Sequence, residues 1–421
     1  MIKNSINVMH ISDIHCGVDD KKPPKYCLER AQTIQAFHRD FNEIPPEWKP
    51  DVIAISGDIG WTGCEEDYNK FQDFLQELLT ESGLSSEDVV CCAGNHDKYL
   101  PKEYKLSDKI KGKSNFHLVD DVYSNLNVFS DNFKAYSENL RNMRIEPLIN
   151  NSEVELSKYL YGYRVVKGLR FVVLNSAWLC DWRKDERQPD ADKNNLLLDV
   201  NIVCQIARMI DSLPPLPTIV MYHHPKDWLK NSEIYNLNGA DKFTTVGYVD
   251  NMAHITLNGH THVLMDEHSR QKLCYTAGTV SSEDTYKSEC RLLRIYVNNR
   301  DINLSRVQEG RYHAKWINGQ VSWKFETNSE LLPFDERAYR NIMSDLLTEM
   351  AGIIIAESRD ENKIQNIISE MDILGIFKEV TTGVYIDASY DAEKNETTKT
   401  LQKTLNNSLR HEGTTEQKDN S

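Results

Sequence analysis

Eight short apolar runs punctuate the first 300 residues, at 6–11, 52–55, 89–93, 171–174, 218–222, 255–257, 273–277 and 292–297. Runs of this length, bounded by Gly, Asn, Asp or Pro, read as buried β-strands. Between the early runs the period changes. Residues 26–44 place Leu28, Ala31, Ile34 and Phe37 on one helical face, and residues 68–79 do the same with Phe71, Phe74, Leu75 and Leu78. Strands alternating with helices predict an α/β fold whose strands are covered on both sides.

Three stretches break this rhythm. Residues 98–160 are polar and helical in pattern, with Val122, Leu126, Phe129 and Phe133 as their apolar positions, and read as an insertion between core strands. Residues 178–195 form a charged loop containing Trp178 and Trp182. The strand pattern ends near Val307; 336–350 and 362–371 are helical in period, and the last thirty residues are polar. The expected organisation is therefore a principal domain over 1–327, a C-terminal helical region over 328–390, and a flexible tail over 391–421. Leu346, Leu347, Met350 and Ile353–Ile355 must pack against something, which makes substrate selection, self-association or a protein partner the expected duty of the C-terminal helices.

With 40% hydrophobic and 9% aromatic residues in 421, the chain can bury a core and is not disordered throughout. The net charge is −15 and no Lys/Arg block occurs, which argues against tight non-specific binding to nucleic acid or anionic membrane. No apolar stretch approaches a membrane span. The first residues lack an apolar signal core, so a cytoplasmic location is expected. Nine cysteines without a C-x-x-C pair read as reduced, mostly buried thiols.

The candidate chemistry lies where the strands stop. The first run ends in Ser12-Asp13-Ile14-His15, the second in Ser56-Gly57-Asp58, and the third in Gly94-Asn95-His96-Asp97. The run at 218–222 ends in His223-His224-Pro225, and that at 255–257 in Asn258-Gly259-His260-Thr261-His262. In open α/β sheets ligands bind at the C-terminal ends of strands. Glycines before Asp58, Asn95 and His260 allow sharp turns. Imidazoles, carboxylates and one amide suit a pair of borderline divalent ions such as Mn, Fe, Co, Ni or Zn. Two such ions, two carboxylates and one hydroxide leave roughly one positive charge, so an acidic protein can still hold a phosphate there.

Five such strand ends in this order resemble the calcineurin-like metallophosphoesterase superfamily, whose pattern is D-x-H, G-D, G-N-H-D/E, H, G-H-x-H. The resemblance spans about residues 6–310. It implies a four-layer α/β/β/α sandwich, here with a C-terminal helical extension, and a dinuclear metal centre on one edge. By that resemblance Asp13, His15 and His262 would hold one metal, Asn95, His223 and His260 the other, and Asp58 would bridge them. His96 would face the phosphate and Asp97 would orient it. His223 is favoured over His224, since the first His of a His-His-Pro end is the usual ligand in relatives. His10, His117, His254, His268 and His313 read as core or surface residues.

Two bridged divalent ions, with Mn²⁺ favoured, imply attack on phosphorus by a metal-bridging hydroxide. His96 would stabilise charge or protonate the leaving oxygen. Protein phosphatases of the superfamily carry G-D-x-x-D-R-G and G-N-H-E; here Gly57-Asp58-Ile59-Gly60-Trp61-Thr62-Gly63 lacks the Arg that grips a phosphomonoester. The G-N-H-D and H-H-P forms look more like class III cyclic nucleotide phosphodiesterases and glycerophosphodiesterases. The expected activity is hydrolysis of a nucleotide-like or other small phosphodiester. The alternatives are an Mre11-like nuclease acting on DNA or RNA, and a phosphoesterase-fold scaffold recruiting a partner through the C-terminal helices.

Overall fold

The computed structural model describes residues 5–18, 22–101, 122–181, 192–234, 244–269, 272–280, 288–299 and 301–335. Within 1–336, one of two compact units into which the chain divides, twelve strands form two six-stranded sheets. The first sheet contains β1 (Ser5–Ile11), β2 (Val52–Ser56), β3 (Val89–Cys92), β10 (Glu289–Tyr296), β11 (Arg306–Ile317) and β12 (Gln320–Pro333), in the order β12-β11-β10-β1-β2-β3. The second contains β4 (Gly162–Val166), β5 (Leu169–Val173), β6 (Thr218–Met221), β7 (Ile255–Asn258), β8 (Met265–Ser269) and β9 (Lys272–Thr276), in the order β4-β5-β6-β7-β9-β8. β1, β2 and β3 run parallel, as do β5, β6, β7 and β9, so their C-terminal ends share an edge within each sheet.

The period-2 alternation of each strand sorts its side chains into two cores. Val8, Val52, Ala54, Val90 and Cys92 of the first sheet pack with Phe171, Val173, Ile219, Met221 and Leu257 of the second. The intervening Met9, Ile11, Ile53 and Ile55 turn outward onto α1 (Pro24–Arg39) and α2 (Glu65–Ser82) through Ala36, Phe37, Phe71 and Leu75. Val172 and Val220 of the second sheet, and Tyr222 just after β6, turn outward into the cluster that holds Ile202, Val203 and Ile206 of the helix Val200–Asp211. Helix, sheet, sheet, helix is the four-layer α/β sandwich that the motif resemblance implies.

Residues 122–160 carry the short helices Leu126–Ser130 and Lys134–Asn142 and three 3₁₀ turns, with Val122, Leu126, Phe129 and Phe133 all buried. The expected helices at 336–350 and 362–371 and the tail at 391–421 lie outside the described residues, as do residues 102–121 and Trp182.

Two expectations are corrected. The sheet does not finish near Val307: β11 and β12 add a long antiparallel hairpin, and Phe334 is still buried. A boundary at 327 would cut β12, because Arg306 pairs with Pro333. These strands alternate apolar and charged residues, covering one face only, and so contain no continuous apolar run. Helix α1 forms, but on a different face. Arg30, Thr33, Ala36 and Phe37 are buried, whereas Ala31 is exposed and Leu28 is 59% exposed. The reason is polar: the Arg30 guanidinium turns inward and donates to the carbonyls of Ile14 and His15.

Candidate metal centre

The residues after β1, β2, β3, β6 and β7 meet at the edge where those strands end. The β1 and β2 loops are laced together, with Asp13 N–H donating to Gly57 O, His15 N–H to Asp58 O and Cys16 N–H to Ile59 O at 2.8–3.1 Å. Glycines 57 and 94 do different jobs. Gly57 has φ +96°, a conformation side chains resist; Gly94 lies where a Cβ would overlap the Asp58 carboxylate. Asp13, His15, Asp58, His260 and His262 themselves take positive φ values of 52–72°. Such backbone persists in non-glycine residues where surrounding contacts over-determine it, and it clusters at functional sites.

Side chains from these loops face one another at short range. Asp13 Oδ1 lies 3.2 Å from His262 Nε2 and 3.9 Å from both His15 Nε2 and His223 Nε2. Asp58 Oδ2 lies 3.1 Å from His223 Nε2 and 4.0 Å from His15 Nε2. His15 and His262 bring their Nε2 atoms to 3.1 Å, and His260 Nδ1 lies 3.2 Å from Asn95 Oδ1. Asp13, His15 and His262 thus form one group, His260 with Asn95 a second, and Asp58 and His223 stand at the centre. Several of these ligand sets have candidate atoms within 4.8 Å of one another: Asp13, His15, His262; Asp13, Asp58, His223; and His223, His224, His260.

The remaining bonds aim the rings. His223 Nδ1 donates to Ser56 O at 2.7 Å, leaving Nε2 toward the carboxylates. Asp13 Oδ2 accepts from His260 N–H, and Asp58 Oδ1 accepts from His96 N–H. That leaves Asp13 Oδ1 and His223 Nε2 buried with no hydrogen bond of acceptable geometry. Buried polar atoms without such a partner call for an explanation, and a cation supplies one.

Electrostatics agree. Burial pushes the Asp13 and Asp58 carboxyls up, but His262 beside the first and His223 beside the second hold both well below the usual range. In return His223 is pushed up to about 9: burial disfavours its charge, and Asp58 and then Asp13 outweigh it. His260 falls to about 3, through burial and then the neighbouring His223. A centre whose carboxylates are ionised and whose imidazoles compete for protons suits divalent cations, which take the protons' place. The donor set of nitrogen and oxygen fits borderline transition metals.

His96 and Asp97 part company. The Asp97 carboxylate turns away from the His96 ring and accepts from the N–H groups of Ile59, Gly60 and Gly94 and from Tyr68 OH. Burial, and then Asp58, push its carboxyl up to about 7. Direct orientation of His96 by Asp97 is therefore corrected. The ring is held by Trp61, whose backbone carbonyl accepts from Nδ1 at 2.7 Å and whose indole stacks on it at 4.4 Å. His224 packs behind His223 and His260, with its Nδ1 2.8 Å from Ser176 Oγ.

Trp61, Ser176 and Arg30 escaped the sequence reading because none is a metal donor type in a known motif position. The available signal was their closeness in sequence to loops already singled out. Among the other histidines, His10 is buried with Nε2 on Ser56 Oγ, His254 accepts from Thr218 N–H, and His313 faces Glu326. His117 and the His268 side chain lie outside the described residues. Trp178 is buried against Phe133.

Residues 6–264 match the family model described as calcineurin-like phosphoesterase, and the chain belongs to that family. Its fold is similar to vacuolar protein sorting 29 from Cryptosporidium parvum, at 11% identity and TM-score 0.29 over 77% of this chain and 99% of that one. It is also similar to a putative 5′-nucleotidase from Staphylococcus aureus, at 13% identity and TM-score 0.34 over 82% and 59% of the two chains. A phosphopantetheinyl hydrolase from Mycobacterium tuberculosis matches at 14% identity and TM-score 0.32 over 66% and 92%. A search of curated protein sequences finds no match. Among the described residues no helix is long and apolar enough to cross a membrane.

Proposed function

We propose that this chain is a metal-dependent phosphodiesterase acting on a nucleotide-like or other small phosphodiester. Asp13, His15 and His262 would hold one divalent ion and Asn95, His223 and His260 the second, with Asp58 placed between the two groups. Bound there, the two cations would activate water and neutralise charge on the phosphate oxygens. The chain's own part is to aim these donors, to keep both carboxylates ionised, and to present His96 to the phosphate.

The observation that carries the choice of diester is Thr62. It stands where the protein phosphatases of the superfamily carry the gripping Arg, and its N–H and hydroxyl both bond Asp67 Oδ2, at 2.7 and 3.0 Å. It offers no cation to a dianionic monoester. A diester carries one negative charge and needs less compensation. A panel tests this on the Mn²⁺-loaded protein: a chromogenic monoester and diester, cyclic mononucleotides, and single- and double-stranded DNA. The diester or a cyclic nucleotide should exceed the monoester by about tenfold or more in kcat/KM, a difference of ~1.4 kcal/mol. Faster monoester turnover overturns the reading, and activity confined to DNA replaces it with the nuclease.

A further inference from the structure

The loop that holds His96 is itself held to an unusual degree. Four consecutive backbone N–H groups, those of residues 59 to 62, end on just two carboxylates. Asp97 takes Ile59 at 3.3 Å and Gly60 at 2.9 Å; Asp67 takes Trp61 at 3.1 Å and Thr62 at 2.7 Å. Asp67 sits in the first turn of α2, only 4% exposed, wedged so that a side chain at Gly17 would collide with it. The loop is thus clamped from both sides, and what it presents is Trp61.

We infer that Trp61 is the positioning residue for His96, and that Asp67 and Asp97 act on the reaction through it. Its carbonyl requires a proton on Nδ1, which leaves Nε2 as the nitrogen available to the substrate. Its indole lies nearly parallel to the imidazole, at 16°, and meets the His15 ring edge-on at 5.1 Å. The ring is therefore fixed in tautomer by the carbonyl and in plane by the stack. A carboxylate on Nδ1 would do the first task while adding another negative charge beside Asp58; a carbonyl does it without one.

The inference rests on the proposed role of His96, and a double-mutant cycle separates the two. On the full chain loaded with Mn²⁺ and assayed on a chromogenic diester, Trp61→Ala and Asp67→Asn should lower kcat about tenfold, with KM moved less than about twofold. Metal content should stay that of the parent. Trp61→Phe, which restores a stacking ring beside the backbone carbonyl that both variants keep, should recover most of the loss. In a His96→Ala background the same substitutions should cost less than about twofold, because the group they orient is gone. Nitrogen NMR should find the His96 ring protonated at Nδ1 in the parent and exchanging in Asp67→Asn. Losses of equal size in both backgrounds, or a fall in kcat that tracks lost metal, overturn the inference alone. A His96→Ala protein with undiminished turnover overturns the inference together with the role of His96.

Discussion

Asp58 stands between the two groups of donors. One carboxylate oxygen faces His223 and His15 while the other accepts the His96 N–H. Asp58→Asn preserves shape and that last bond but removes the charge between the two groups. The variant should bind fewer cations per chain than the parent by elemental analysis. Its diester kcat should fall on the order of 10²-fold or more, as expected when Lewis-acid stabilisation of several kcal/mol is lost. Parent-like metal content and turnover would remove Asp58 from the centre. The residues that the fold gathers at this edge were legible in the sequence, because Asp, Asn and His directly after apolar runs are conspicuous. The aim of each side chain was not. Asp97 adjoins His96 in sequence, yet backbone geometry sends its carboxylate to four other donors, and no one-dimensional pattern encodes that.

Elements were legible in proportion to how completely they are buried. Strands covered on both faces, such as β2 with all five residues buried, announce themselves as apolar runs. The β11–β12 hairpin buries only alternate residues and was missed, although Asn318-Gly319, at φ 51° and 78° between Ile317 and Gln320, is a strong hairpin-turn signal. That hairpin belongs to the core. Trp323 is fully buried, donates Nε1–H to Thr33 O, and packs against Phe37 and Tyr312 at 5.0 and 4.9 Å. Trp323→Ala should therefore cost about 3–5 kcal/mol in urea unfolding, the range for large aromatics removed from a core. A cost below ~1 kcal/mol would mean the hairpin is an appendage. In α1 the apolar period predicted the helix but not its face, since Arg30 enters to reach two backbone carbonyls.

At the scale of the molecule, the described part of the sandwich closes at residues 333–335, where Phe334 N–H donates to Ser305 O and Asp335 N–H to Asn303 O. All residues of the centre precede 263. A chain ending at Asp335 should thus keep the parent's metal content and hydrolyse a small chromogenic diester within about tenfold of full length, whereas one ending at Asn328 should lose stability by cutting β12. Loss of metal from the longer truncation would make 336–421 part of the catalytic unit. Class of reaction was readable at this scale and substrate was not. Strand ends dictate which metals and which phosphorus chemistry are feasible, but the leaving group is chosen by loops whose side-chain directions depend on tertiary packing.

The positive φ values at Asp13, His15, Asp58, His260 and His262 carry a consequence for how such a protein can be improved. Left-handed backbone costs an L-residue on the order of 1 kcal/mol at each position, and Gly would relieve it. Screening for heat resistance in the presence of a chelator would therefore favour erasing the active edge one residue at a time. Each survivor would be more robust and less able to recruit cations. Durability and chemistry are opposed at five defined positions, so a thermostable and active variant has to be sought elsewhere in the sandwich, with the cations present throughout selection.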